Sequence, residues 1–146
     1  FLIAKKGSVN AIDTTGKSAI VYAAARGDTE IVTRLLDIGI DPKVKYGNDL
    51  TALMWAAGFS DDVPESEGEQ TVKVLLDRGA QVNNRDNRGW TALIIAAERG
   101  HVGVVNLLLG RGASRHLRAK DGKTAYTIAR QSGHNAIAKL LKPKLN

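Results

Sequence analysis

Apolar residues recur at helical spacing in short segments that glycine separates. In the clearest example, Leu93, Ala96 and Ala97 share one face of a first helix, and residues 104–109 carry the apolar stripe of a second. Gly100 lies between them, and glycine enters the left-handed conformation of a helix end at little cost. Helices near ten residues long are marginal in isolation. The pattern therefore predicts helix-turn-helix units that are stable only against neighbouring units.

This pattern occurs four times along the chain. Each unit begins with a short segment in which Ser or Thr is followed by Ala and, with one Tyr exception, an aliphatic residue. The segments start at residues 16, 49, 89 and 122, so successive starts are 33, 40 and 33 residues apart. A fixed period of this length is the signature of a repeat architecture. The longer interval indicates an insertion near residues 58–69, and the whole pattern predicts an all-α solenoid.

Polar residues mark the start of each first helix and the connecting turns. A hydroxyl at the helix start accepts a hydrogen bond from a free backbone N–H, and we predict such caps at Ser18, Thr51, Thr91 and Thr124. Turn carboxylates accept bonds from nearby backbone N–H groups in the same way, and we predict this role for Asp13, Asp86 and Asp121.

The third unit carries a family resemblance. It reads Asp86-Asn87-Arg88-Gly89-Trp90-Thr91-Ala92-Leu93-Ile94-Ile95-Ala96-Ala97-Glu98-Arg99-Gly100-His101, followed by Val105, Leu108-Leu109 and Gly112-Ala113, and it closely resembles the ankyrin repeat. The repeat phase extends the resemblance over essentially the whole chain. It implies one domain, 1–146, of stacked helix-turn-helix units joined by β-hairpin loops. The expected units are a partial N-terminal repeat (1–12), repeats at 13–45, 46–85 and 86–118, and a C-terminal capping repeat at 119–146.

Departures from the family pattern predict local differences. The Pro and His of the family's Thr-Pro-Leu-His are replaced in every unit, so the hydrogen bonds that this His makes between repeats are absent. Asp49 stands where the turn glycine belongs, and Gly47 lies two residues earlier, so we expect a distorted hairpin there. His101 and His134 fall just after the inter-helix glycine, where the resemblance implies a structural role on loop backbone groups.

Composition excludes several kinds of chemistry. The chain has 146 residues, of which 43% are hydrophobic, so it can bury a core without metals or disulfides. It has no cysteine, which excludes disulfides, thiolate metal sites and a thiol nucleophile. No phosphate loop, nucleophile elbow or metal-binding histidine pair is present. We predict no catalytic, cofactor-binding or metal-binding residues, and a protein that is not an enzyme.

The resemblance implies a non-catalytic protein-protein interaction module that binds a partner protein along a concave face. First helices and hairpin tips form that face. The matching positions that carry residue types enriched in interfaces predict these partner-binding residues: Tyr22, Arg26, Leu50, Trp55, Phe59, Arg88, Trp90, Ile95 and Arg99. The alternative for Trp55 and Tyr22 is that they fill space between successive helices.

The charge is segregated along the chain. The 21 basic and 15 acidic residues give a net charge of +6. Residues 58–69 hold five acids and no base, which we interpret as a solvated loop, with an acidic lip beside the concave face as the alternative. From Arg115 onward there are eight basic residues and one acid, so an alternative function is a module that binds a polyanion, either nucleic acid or an anionic membrane, through this basic C-terminal end. Nucleic acid is disfavoured as its ligand because no RNA-binding signature accompanies these residues.

A second alternative is a regulatory or targeting domain of a larger enzyme, since the chain begins within a repeat and without Met. No stretch approaches the ~20 apolar residues of a membrane span, so we expect no transmembrane segment. We expect a monomer. The compartment is left open, with the cytoplasm favoured over export from a bacterium.

Overall fold

The computed structural model describes residues 11–143, so most of the expected partial repeat at 1–12 lies outside the described residues. The described part is helical, and no strand is assigned in it. Its α-helices form four pairs: α1 (Ala19–Ala25) and α2 (Thr29–Asp37), α3 (Ala52–Ala57) and α4 (Glu65–Asp77), α5 (Ala92–Arg99) and α6 (Val102–Gly110), α7 (Ala125–Gln131) and α8 (Asn135–Leu141).

The helices are arranged in two layers. The first helices α1, α3, α5 and α7 pack in chain order, each on the next, and the second helices α2, α4, α6 and α8 form a parallel row. Each first helix also packs against the second helix of its own pair. This order confirms the predicted all-α solenoid, because every helix pair is stabilised by its neighbours along the stack.

The core runs along the interface between the two layers. Equivalent aliphatic residues of successive repeats are wholly buried there: Ile20, Leu53 and Leu93 from the first helices, and Leu35, Leu75 and Leu108 from the second. The helical spacing seen in the sequence places these side chains on the facing sides of the layers. One continuous core therefore links the repeats.

Three of the four predicted helix caps are present. The hydroxyl oxygens of Thr51, Thr91 and Thr124 each accept a hydrogen bond, 3.3 Å long, from the backbone N–H three residues further on. The prediction is wrong for Ser18. Its hydroxyl is buried, makes no cap bond to α1 and has no partner among the described residues.

The connectors between pairs are tight turns that are hydrogen-bonded to each other. In the third unit Asp86 N–H donates to the Trp90 carbonyl at 2.9 Å, and equivalent bonds close the other three connectors. Successive tips are joined by backbone bonds, such as that from Asn87 N–H to the Asn48 carbonyl at 3.0 Å. The expected distortion near Asp49 is confirmed by a 3₁₀ turn over Gly47–Asp49 in which Asn48 and Asp49 have φ angles of 62° and 63°.

The insertion is only partly a loop, which corrects the expectation for residues 58–69. Residues 65–69 form the beginning of α4, which has 13 residues where α2 and α6 have 9. Glu65 and Glu67 in its first turn stabilise the positive end of the helix dipole. None of the helices between residues 11 and 143 has the length and apolar content needed to cross a bilayer.

Candidate functional site

A cavity of about 340 Å³ opens between α3 and α5. Apolar side chains of Leu50, Trp55 and Ile95 line it, together with the charged side chains of Arg88 and Arg99. We call this cavity the α3–α5 groove. It combines an apolar lining with two guanidinium groups, which suits a ligand that carries both an apolar and an anionic group.

Gly58, the residue that ends α3, keeps this groove open. A Cβ atom at this position would lie 2.8 Å from Ile95 Cγ2 and 3.8 Å from Arg99 Cγ. The φ angle of Gly58 is −105°, which other residues adopt as well. The need for glycine here is therefore one of space, since any side chain would press into the groove lining.

Arg88 is held rigidly on the hairpin before α5. Its Nε and Nη2 donate to Asp86 Oδ2 at 2.9 and 2.6 Å, and its guanidinium lies 4.0 Å from the centre of the Trp90 ring. The Asp86 side chain is 1% exposed, whereas that of Arg88 is 51% exposed. The Arg88 side chain is therefore accessible to solvent, whereas the carboxylate that pairs with it is buried.

Arg99 is the last residue of α5 and reaches back to the insertion. Its Nη2 donates to Asp61 Oδ1 at 3.1 Å and to the Phe59 carbonyl at 3.4 Å. The Asp61 side chain is 86% exposed. An ion pair with so exposed a partner is weak, so Asp61 is easily displaced by a ligand.

An aromatic and charged group adjoins the groove on the α1 side. Lys17 Nζ lies 5.1 Å from the centre of the Trp55 ring and 5.9 Å from that of Tyr22. The Tyr22 hydroxyl donates to Asp13 Oδ2. Hydrogen bonds from Thr15 and Tyr22 hold the pKa of Asp13 well below its usual range, and the bond to Asp13 raises the pKa of Tyr22. Because its ammonium group lies near both rings, Lys17 connects Tyr22 to the half-buried Trp55.

Five of the nine predicted partner-binding residues come together around the groove: Leu50, Trp55, Arg88, Ile95 and Arg99. Trp90 lies beneath Arg88, and Tyr22 adjoins Trp55 through Lys17. Arg26 lines a different, polar cavity of about 580 Å³ between the starts of α2 and α4. The groove also includes Gly58 and Glu98, which the predicted set omits. Gly58 and Glu98 occupy equivalent positions in successive repeats, 40 residues apart, as Thr51 and Thr91 do. This equivalence is the sequence signal that could have identified them.

The expectation that Phe59 lies on the binding face is wrong. Its side chain is buried, and its ring stacks on that of His101 with centroids 3.7 Å apart. A Cβ at Gly68 would lie 2.3 Å from the Phe59 ring, so this ring lies directly against the backbone of α4. Ile95 is also more buried than expected, at 8% exposed, and contributes only an edge to the groove.

His101 and His134, which follow the inter-helix glycines of their repeats, have the structural role predicted for them. His101 Nε2 bonds to the Phe59 carbonyl at 3.1 Å, and His134 Nε2 bonds to the Glu98 carbonyl at 2.9 Å. Each bond joins one repeat to the preceding one. Because a carbonyl oxygen can only accept, Nε2 is the donor in each bond. Burial lowers the pKa of His101. Across residues 11–143 no cluster of three His, Cys, Asp or Glu side chains could hold a metal ion.

Comparison with known proteins agrees with this architecture. The family model for ankyrin repeats, which describes three copies, matches residues 1–65 and 63–146. The chain belongs to the ankyrin-repeat family. Ankyrin repeats are generally protein-protein interaction modules, and the family is typically non-catalytic.

Several curated proteins share part of this sequence. Ankyrin repeat domain-containing protein 63 of Mus musculus is 46% identical over 66 residues, which cover 45% of this chain and 16% of that protein. E3 ubiquitin-protein ligase hecd-1 of Caenorhabditis elegans is 40% identical over 91 residues, 62% of this chain and 3% of that protein. Ankyrin repeat and KH domain-containing protein 1 of Homo sapiens is 38% identical over 97 residues, 62% of this chain and 3% of that protein. The chain thus spans a small part of each of these relatives.

Proposed function

We propose that this chain is a non-catalytic module that binds a partner protein in the α3–α5 groove and on the hairpin tips beside it. The observation that carries this proposal is the meeting of Leu50, Trp55, Arg88, Ile95 and Arg99 around one cavity. Trp and Arg are enriched among residues that dominate binding energy. The groove thus combines apolar contact area with donors for charged hydrogen bonds.

The surface binds without rearrangement. Thr51 and Thr91 cap α3 and α5, and both helices pack on their neighbours in the stack. The Arg88 guanidinium is fixed by two bonds to Asp86 before any partner arrives. Because these groups are already ordered, little conformational entropy is lost on binding.

Truncation of Trp55 tests the proposal. The probe is a twelve-residue peptide selected on the full chain from a random displayed library. Trp55→Ala is expected to weaken binding of this peptide by about 2 kcal/mol or more with little change in melting temperature, as for an interface hot spot. The matched control is Val102→Ala, which removes an exposed apolar side chain at the start of α6. Unchanged affinity together with a large loss of stability would identify Trp55 as a packing residue.

A polyanion-binding module is a second candidate, and the C-terminal repeat supports it. Among the described basic residues from 115 to 142, only Lys123 forms an ion pair, at 3.9 Å from Asp121. Lys144, the last of the eight basic residues, lies outside the described part. Retention on a heparin column at physiological salt that is lost in Lys139→Glu with Lys142→Glu would favour this function.

A recognition or regulatory domain within a larger enzyme is the third candidate. One relative is named as an E3 ubiquitin-protein ligase, and this chain spans 3% of that protein. Under this proposal the groove would select the protein on which a catalytic domain acts. The coding sequence on either side of this chain tests it directly, because the candidate requires a catalytic domain in the same reading frame.

A further inference from the structure

The α3–α5 groove has a positive group at each end of an apolar lining. Arg88 lies on the hairpin before α5, and Arg99 is the last residue of α5. The 8 residues of α5 rise about 12 Å at 1.5 Å per residue. Trp55 and Ile95 line the groove together with the two arginines. The cavity is therefore lined by one arginine before α5, one arginine at the end of α5, and apolar side chains of α3 and α5.

The positive charge of Arg88 is available to a ligand. Asp86 is satisfied within its own turn, because Oδ1 accepts the backbone N–H groups of Arg88 and Trp90 at 2.8 and 2.9 Å. Its Oδ2 accepts Nε and Nη2 of Arg88, and in the described structure Nη1 donates no hydrogen bond. The Asp86 carboxylate orients the guanidinium from the protein side and leaves its other edge for an incoming anion.

The second positive group, Arg99, pairs with an exposed acid, and its Nη2 also donates to the Phe59 carbonyl at 3.4 Å. Asp61 Oδ1 accepts a hydrogen bond from one nitrogen of Arg99, Nη2, at 3.1 Å. A carboxylate that approached Arg99 from the groove would replace this exposed pair with a less solvated one, which strengthens the attraction. Glu98 is the acid among the groove residues, and it lies next to Arg99 in sequence. It opposes an anion at this end.

We infer that the groove binds an extended segment of the partner protein in which two carboxylates, three or four residues apart, flank a large apolar side chain. An extended chain advances about 3.3 Å per residue, so three to four residues span roughly 10 to 13 Å, close to the length of α5, the helix that follows Arg88 and ends at Arg99. The apolar side chain lies against Trp55 and Ile95, and the carboxylates pair with Arg88 and Arg99. This inference rests on the proposed function and specifies the chemistry of the partner.

The test is a selection of random twelve-residue displayed peptides on the full chain at physiological salt. Enriched peptides are expected to carry two acidic residues three or four positions apart around Leu, Ile, Met or Phe. For the tightest peptide, Arg99→Gln is expected to weaken binding about 10-fold, as for loss of a charged interface pair. Glu98→Gln is expected to strengthen binding several-fold, because it removes the opposing charge.

Arg88→Lys supplies a second variant for the other end. It keeps a positive charge beside Asp86, so it preserves the turn while it loses the planar, bidentate geometry of the guanidinium. Melting curves of all three variants establish that they are folded. Affinity for the peptide is expected to fall in Arg88→Lys and to rise in Glu98→Gln, a pair of opposite changes that general destabilisation does not produce.

The contrary results separate this inference from the proposed function. Peptides whose binding is weakened in Trp55→Ala but which carry no pair of acidic residues would overturn the inference and leave the groove as the binding site. Peptides whose affinity is unchanged in Trp55→Ala would overturn the proposed site itself. A selection that enriches no peptide over the starting library would count against both.

Discussion

Phe59 and His101 stack face to face, with ring centroids 3.7 Å apart and ring planes inclined by 9°. The His101 ring also bonds to the Phe59 carbonyl at 3.1 Å. The two residues belong to different repeats, so the contact attaches the insertion of the second repeat to the start of α6 in the third. The same carbonyl accepts a bond from Arg99, a groove residue. The buried stack thereby supports one end of the groove.

Phe59→Ala is expected to destabilise the protein by about 3 to 5 kcal/mol, since it empties a fully packed site between His101 and α4. Urea unfolding followed by circular dichroism measures the loss. Phe59→Leu is the matched control and is expected to cost less than half as much, because most of the buried volume remains. A loss below about 1 kcal/mol in the alanine variant would mean that the site collapses freely.

Stability is expected to fall as the pH is lowered through the normal histidine range, because of His101. Its pKa in the folded protein is below the ordinary value of 6.5, chiefly because of burial. The bond to the Phe59 carbonyl opposes this shift, the charge of Arg99 adds to it, and the charges of Asp61 and Glu65 oppose it. Between the folded and unfolded pKa values the unfolded chain binds more protons, so acid favours unfolding. The contribution is complete above pH 6.5 and is lost as the pH falls toward the folded pKa.

Urea midpoints at pH 7.5, 6.5 and 5.5 measure this dependence. His101→Gln is expected to flatten the profile relative to the unchanged chain, whereas His116→Gln, at an exposed position, is expected to leave it intact. Equal slopes for the unchanged chain and the His101 variant would show that other groups carry the acid sensitivity.

Gly58→Ala is expected to narrow the groove and weaken peptide binding about 10-fold or more, because the new methyl group would meet Ile95 Cγ2. Gly110→Ala is its control. A Cβ at Gly110 would point into open space, with no atom outside its own stretch of helix within 4 Å, so this variant is expected to bind normally. Titration of a selected peptide against both variants, with melting temperatures, makes the comparison. Normal binding by Gly58→Ala would place the ligand elsewhere.

Gly100→Ala is expected to cost more stability than Gly133→Ala. Both glycines have φ near +80°, so each alanine variant carries about 1 kcal/mol of left-handed strain. Only at Gly100 would the Cβ also meet a ring, at 2.6 Å from His134 Cε1, which adds about 1 to 3 kcal/mol of overpacking. The difference in unfolding free energy between the variants measures that contact, and a difference near zero would show that His134 moves aside at no cost.

The repeat period, the helix pairs and the threonine caps follow from short-range patterns and are predicted by the sequence. The spacing of Leu93, Ala96 and Ala97 defines a helix face, and Thr91 lies one residue before that helix. The repeat phase even placed Trp55 and Ile95, which are 40 residues apart, at equivalent positions that the stack brings to one cavity. These features depend on neighbours along one helix or on strict repetition.

What the tertiary structure alone decided is how the irregular second repeat packs. Phe59 and Arg99 occupy equivalent positions in successive repeats, but Arg99 is exposed and Phe59 is buried. Phe59 is buried because the chain turns back after Gly58, and because Gly68 has no side chain and so leaves space for the ring against α4. The acids at residues 65–69 begin a helix because that segment packs as part of α4 in the second layer. The sequence by itself determined the repeating units and their order, since local spacing encodes them. Burial at the insertion and the shape of the groove depend on contacts between residues far apart in the chain, which no local pattern encodes.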